Sequence, residues 1–305
     1  MPIGSNAQYG DISSPKFDPA GGGGINCGWW SHPIFITTAH DPMTTVYLHP
    51  PAFMHMEEKP LITMRVPADA RPDPKSDAHL HIIDETHSFV VEMIGAVKDS
   101  KGKITATWWG TKNDLRDAGV YDPPHGVRAY GGSAIGGLIR RGELTHGIHH
   151  ALAGAIDPKA HNRKGPNGKA YVWPASCADG DADTAYGASG NLLMGTLLAL
   201  PPSVDLGKLG LSGPDMAIAR AMQEYGVYIV DSGGCNLQLF AEPKAADEVA
   251  QIKIESRGQS YCSLRKLVPL LKIVTNNTPQ SVGGGGKPCA PLAPPFVRQT
   301  EPKKG

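Results

Sequence analysis

The sequence predicts an all-β fold, a sandwich or jelly roll of concanavalin-like type with one or two helices packed on it. Three observations carry that expectation. Glycine (37) and proline (27) make up more than a fifth of the 305 residues, a turn-rich composition. Charged residues are only 19% of the chain, and sustained helical periodicity is rare. The stretch 79–93, His-Leu-His-Ile-Ile-Asp-Glu-Thr-His-Ser-Phe-Val-Val-Glu-Met, reads as a β-hairpin: two apolar arms around the polar centre 84–87.

Along the chain, the first 30 residues are turn-rich, with four glycines at 21–24. Strands are expected at 33–37, 45–48, 61–66, 104–109, 133–139 and 148–156, with a Pro-rich loop at 67–74 leading into the hairpin. Residues 157–190 form a long polar excursion with a short strand at 171–173, and loops of that length are usually functional or disordered. A helix is signalled from Pro214 by a capping-box pattern, Ser212 with Asp215. Ile218, Met222 and Tyr225 share one face, and Gly226 supplies the stop. Strands at 227–230 and 237–240 follow, then a weaker helix at 264–273. From Asn276 onward glycines and prolines dominate, so the expected organisation is one domain over 1–275 and a flexible tail over 276–305.

Lys+Arg and Asp+Glu both number 29, and the zero net charge argues against nucleic acid as the main partner. No apolar run is long enough to span a membrane. The N-terminus lacks the basic and apolar parts of a signal peptide, so the protein is either intracellular or begins after a removed leader. The five cysteines, Cys27, Cys177, Cys235, Cys262 and Cys289, are too scattered for a zinc knuckle. They allow two disulfides and a free thiol, or five reduced thiols.

The hairpin carries the first candidate site. If its loop joins the arms symmetrically, Ile83 faces Ser88 and His79 lies opposite Glu92. Alternation then gives an apolar core face of Leu80, Ile82, Phe89, Val91 and Met93. The other face carries His79, His81, Val90 and Glu92, with its chemistry directed away from the core. A His–Glu pair on a sheet face is also an ordinary cross-strand contact. Farther on, the strand at 148–156 puts His149 and His150 on opposite faces, one of them inward. There a hydrogen-bonded structural histidine competes with a catalytic one. Trp108 and Trp109 point oppositely, one toward the core and one available to stack on a sugar ring. Asp231 stands at a strand end before two glycines, suiting a site carboxylate or a turn-former. His79-x-His81 followed by Glu85 is similar to a cupin metal motif, although no second cupin element follows.

Together these segments resemble a family of uncharacterised secreted bacterial proteins. Asp77-Ala-His79-Leu80 is similar to its Asp-Gly-His-Leu segment, Glu92 lies at the family's spacing, and Trp109-Gly110-Thr111 matches a Trp-Gly-Gly strand end. Gly136-Gly137, Glu143-Leu144 and 147–152 resemble its Ile-x-His-Ala-Leu element, and Tyr225-Gly226 with Asp231 and Gly233 its Tyr-Gly…Asp…Gly segment. The resemblance covers residues 30–242 in patches. It implies secretion or export to the periplasm and a role toward sugars or cell walls, with His79, Glu92 and His150 as the shared set.

The expected function is cleavage of glycosidic bonds in a polysaccharide, by hydrolysis or elimination and without a cofactor. Glu92, His79, His150 and Asp231 are the candidate catalytic residues. Trp109, Trp108, Arg140 and Tyr225 are the candidate substrate contacts. One rival is an enzyme holding a transition metal through His79, His81 and His150; the other is a non-catalytic carbohydrate-binding or structural protein.

Overall fold

The computed structural model describes residues 1–28, 30–49, 55, 57–74, 77–211, 213–233, 236–250, 252 and 264–294. It is mostly β-structure: thirteen strands among the described residues, numbered along the chain, form two mixed sheets with few helices. The chain divides into two compact units where one domain is expected. Among the described residues, unit 1 comprises those of 1–31 and 120–293 and unit 2 those of 32–119 with Pro294. No helix among the described residues is long and apolar enough to cross a membrane.

Unit 2 is a six-stranded sheet of β3 (Ile34–Ile36), β4 (Met43–Leu48), β5 (Lys59–Arg65), β6 (Leu80–Ile83), β7 (Phe89–Lys98) and β8 (Ile104–Asp114), in the order β3-β6-β7-β8-β4-β5. The hairpin is β6–β7, and Leu80, Ile82, Val91 and Met93 lie in one apolar cluster with Phe89 packed against it. Its register differs from the symmetric count: Ile83 pairs with Val90, and His81, not His79, faces Glu92. The cause is Asp84, whose carboxylate accepts the main-chain N–H of Thr86, Ser88 and Phe89 at 2.8–3.0 Å and holds a longer loop. A shift of two residues leaves each side chain on its expected face. The polar face is itself buried, since His81 and Glu92 are both 0% exposed.

Unit 1 holds β1 (Tyr9–Gly10), β2 (Gly24–Asn26), β9 (Leu152–Ile156), β10 (Leu197–Ala199), β11 (Val227–Ser232), β12 (Gln238–Phe240) and β13 (Lys272–Val274), in the order β1-β13-β10-β11-β9-β12-β2. Central β9, Leu-Ala-Gly-Ala-Ile, is buried throughout, as an apolar run covered on both faces should be. Three helices matter to the site: α1 (Glu143–His146), α2 (Ala182–Ala185) and α3 (Pro214–Glu224). Helix α3 places Ile218 and Met222 in the main core with Val227 and Ile229, and Gly226 at φ 80° ends it. Its N-cap is Gly213, with no side-chain cap; Ser212 lies outside the described residues.

Four other expectations change. The segment 133–139 is not a strand and contributes only a bridge from Ile139 to Ala241, because Gly137 takes φ 77° within it. Strand β9 begins at Leu152, so His149 and His150 precede it. The helix expected at 264–273 lasts one turn, Leu264–Leu267, before Pro269 denies it a donor and β13 begins. The segment from Asn276 is held by hydrogen bonds to the N-terminal residues. Gln8 N–H donates to Asn276 Oδ1, Gly4 N–H to the Gly283 carbonyl and Cys289 N–H to that of Ile3.

Candidate functional site

In unit 2 the chemistry is set by strand pairing. Parallel β3–β6 pairing puts Ile34 beside His81, and His81 N–H donates to the Pro33 carbonyl at 3.1 Å, bringing His32 alongside. His79 is fixed from the other direction by a bulge in β7. There Gly95 (φ 66°) and Ala96 turn their N–H groups to the carbonyls of Asp77 and Ala78 at 2.7 and 2.9 Å. His32, His79 and His81 consequently gather with ring centroids 4.3–5.7 Å apart, all buried. Their candidate ligand atoms lie within 4.8 Å of one another. Beside His81, Glu92 Oε2 accepts a 2.6 Å hydrogen bond from Asn113 Nδ2. Glu85 is exposed and pairs with Arg65 at 3.5 Å, away from the cupin-like role its spacing implies. Trp108 is 58% exposed, while Trp109 packs against the core.

The candidates 140–150 of unit 1 belong to a loop held by carboxylates. Glu143 accepts Arg140 N–H at 2.6 Å, Glu242 accepts Arg141 N–H at 2.8 Å and Glu248 accepts Gly142 N–H at 2.6 Å. His150 Nε2 lies 3.1 Å from Glu143 Oε2, and Arg140 Nε lies 3.6 Å from Glu242. Burial pulls the His150 imidazole down, but the Glu143 carboxylate outweighs it and the net shift is upward. Tyr225 is fully buried and donates to the Pro291 carbonyl at 2.9 Å, which takes it out of reach of a substrate.

Asp231 is differently placed. A register shift between Ile229 and Asp231 lets β11 present it at the sheet's end, where Arg128 Nη1 donates to Oδ2 at 3.0 Å. Arg128 is buried, caps the Phe240 ring at 4.0 Å and donates to the Ala134 carbonyl. The next residue, Ser232, links Asp231 to a second carboxylate. Its N–H donates to Asp231 Oδ1 at 2.9 Å and its Oγ donates to Asp179 Oδ2 at 2.8 Å. The single turn of α2 returns Tyr186 to Asp179, and its hydroxyl donates to the same Oδ2 at 2.5 Å. The His161 ring stacks on Tyr186 at 4.4 Å.

Burial pushes Asp231 above the usual carboxylate range. Arg128 opposes that shift and the charge of Asp179 adds to it. Burial also holds His161 down at about 4, so it is neutral at pH 7. Asp179 lines a pocket of about 250 Å³ with Arg163, Lys169, Tyr171 and Asp183. Cys177, whose thiol is pushed up by burial, is free, as are Cys27 and Cys289. Cys235 and Cys262 lie outside the described residues.

Sequence reasoning singled out His79, His81, Glu92 and Asp231 and missed His32, Asn113, Arg128, His161, Asp179 and Tyr186. The unusual length of the polar excursion was the available signal for Asp179, Tyr186 and His161. For His32 there was none, because only parallel pairing brings it to His81. No family model, no curated protein and no solved structure matches this chain.

Proposed function

We propose that this protein cleaves glycosidic bonds in a polysaccharide by proton transfer at the Asp179–Asp231 pair of unit 1. The observation that carries the reading is the asymmetry of the pair. Asp231 is raised by burial and by its neighbour's charge, as a general acid must be, while Asp179 beside it accepts hydrogen bonds from Tyr186 and Ser232 on one oxygen. In a hydrolase Asp231 would protonate the departing sugar oxygen, with Asp179 as base or nucleophile. Arg163 and Lys169 at the Asp179 pocket favour a polymer that carries carboxylates, and Lys169 Nζ stands 5.1 Å over the Tyr171 ring in the same lining. A uronate substrate would also permit elimination, which leaves an unsaturated product.

In this reading the architecture is a concanavalin-like sandwich, supported by the β-rich content alone. The parallel pairs β9–β11, β2–β12, β3–β6 and β4–β8 depart from a wholly antiparallel jelly roll. Secretion rests on the motif resemblance, since the three described cysteines supply no disulfide to support it.

The deciding experiment incubates the purified chain with neutral and uronate-bearing polysaccharides, reading both reducing ends and ultraviolet absorbance of unsaturated sugars. Product release that falls about 10²–10⁴-fold in Asp231→Asn supports the reading. Full activity in that variant, or binding of glycans without any product, overturns it.

A further inference from the structure

We infer that unit 2 carries a binding site for a divalent transition-metal ion, with His32, His79 and His81 as its protein ligands and Glu92 beside it. The site shares no residue with the carboxylate pair of unit 1. His32 Nδ1 and His81 Nε2 are 3.0 Å apart, and the three ligand atoms fall within 4.8 Å of one another. A tetrahedral ion with nitrogens at about 2.0–2.1 Å needs them about 3.3 Å apart. One pair is already close to that distance, and the widest must close by at most about 1.5 Å, which side-chain torsions can supply.

The frame behind the ligands is rigid. His81 lies inside a paired strand, His32 is tied in by the Pro33 carbonyl, and the His79 carbonyl accepts Asp73 N–H at 2.8 Å. Their exposures of 1%, 4% and 0% place all three imidazoles in the interior. Two polar groups flank the cluster: Asp77 Oδ2 stands 3.8 Å from His79 Nε2, and Asn113 Nδ2 donates to Glu92 at 2.6 Å. Imidazole donors select Zn²⁺, Cu²⁺, Ni²⁺ or Fe²⁺ over Mg²⁺ and Ca²⁺. Three such ligands leave the fourth position to a water molecule.

An ion held by these imidazoles differs from a hydrogen-bonded histidine stack in one measurable respect, its stoichiometry. The full chain, saturated with Zn²⁺ and passed through chelator-treated buffer, should retain one ion per chain by elemental analysis. Replacing Zn²⁺ with Co²⁺ should give the visible bands of a nitrogen-coordinated tetrahedral ion. His32→Gln and His81→Gln should each weaken binding by more than the roughly 10–100-fold that loss of an outer partner costs. Asp231→Asn should keep the ion, so failure of the glycosidic reading and failure of this one are separable. If the histidine variants do not fold, the cobalt spectrum of the unaltered chain decides. Absence of both a retained ion and a cobalt spectrum overturns the inference, as does unchanged binding in His32→Gln and His81→Gln.

Discussion

In unit 2 the polar residues of interest lie on strands or within a residue or two of them, and main-chain hydrogen bonds decide where they point. In unit 1 far-separated loops bring Arg128, Asp179 and Tyr186 to the end of β11. There Arg128 donates to Asp231, while Tyr186 and Ser232 both donate to Asp179. Strand pairing fixes identity of face and spacing at little cost in side-chain order, and it suits an ion that needs several donors at set distances. A loop-built cluster is tuned by each member's burial and charge, and it suits groups whose proton affinities must differ.

The sharpest way to break that contrast is to exchange the two carboxylates as targets. Asp179→Asn should lower polysaccharide turnover by about 10²–10⁴-fold, whereas Glu92→Gln should leave it within a few-fold. Equal losses in both variants, measured under saturating substrate, would dissolve the division of labour between the units.

Next in size is a pH effect confined to unit 1. The unfolded chain takes a proton at His161 below about 6.5, which the folded chain refuses until about 4. Stability from this residue is therefore intact above pH 6.5 and lost as pH falls toward 4, by about 3 kcal/mol. Denaturant midpoints at pH 7 and pH 4.5 should diverge in the unaltered chain and converge in His161→Phe.

A bulge substitution probes unit 2. A Cβ at Gly95 would meet the Trp108 ring at 2.5 Å, and the residue sits at φ 66°. Gly95→Ala should cost about 1–3 kcal/mol of stability and disturb His79 before His81. A histidine-resolved NMR spectrum in which both rings are unmoved would contradict the positioning role given to the bulge. The smallest effect concerns the carboxylate-held loop: Glu143→Gln should drop the His150 titration midpoint, read by the same spectra.

How much of this was legible depends on the range of the forces involved. The hairpin's faces followed from alternation alone, and Leu80, Ile82, Val91 and Met93 are where that pattern puts them. Its register was two residues out because Asp84 captures three N–H groups of the loop, a side-chain effect that alternation does not encode. His32 and Arg128 reach their partners across long stretches of chain, and no local pattern records such pairings. Tyr225 sat on the helical face at the right spacing, and that same spacing made it core. The long excursion at 157–190 announced itself by length and polarity, but which of its residues would turn inward depended on the one-turn α2.

Residues 32–119 are contiguous, whereas unit 1 is assembled from both sides of them, with Tyr9 of β1 paired to Val274 of β13. On the ribosome these two histories diverge. Unit 2 has its whole sheet in hand soon after residue 119 emerges, while the N-terminal strand of unit 1 must wait, unpaired, for nearly the last of the chain. An unpaired edge held open through synthesis is an aggregation hazard. Here that edge is only two residues long, ends in glycine and is flanked by Gln8 and Asp11, which leaves a passing strand little to grip.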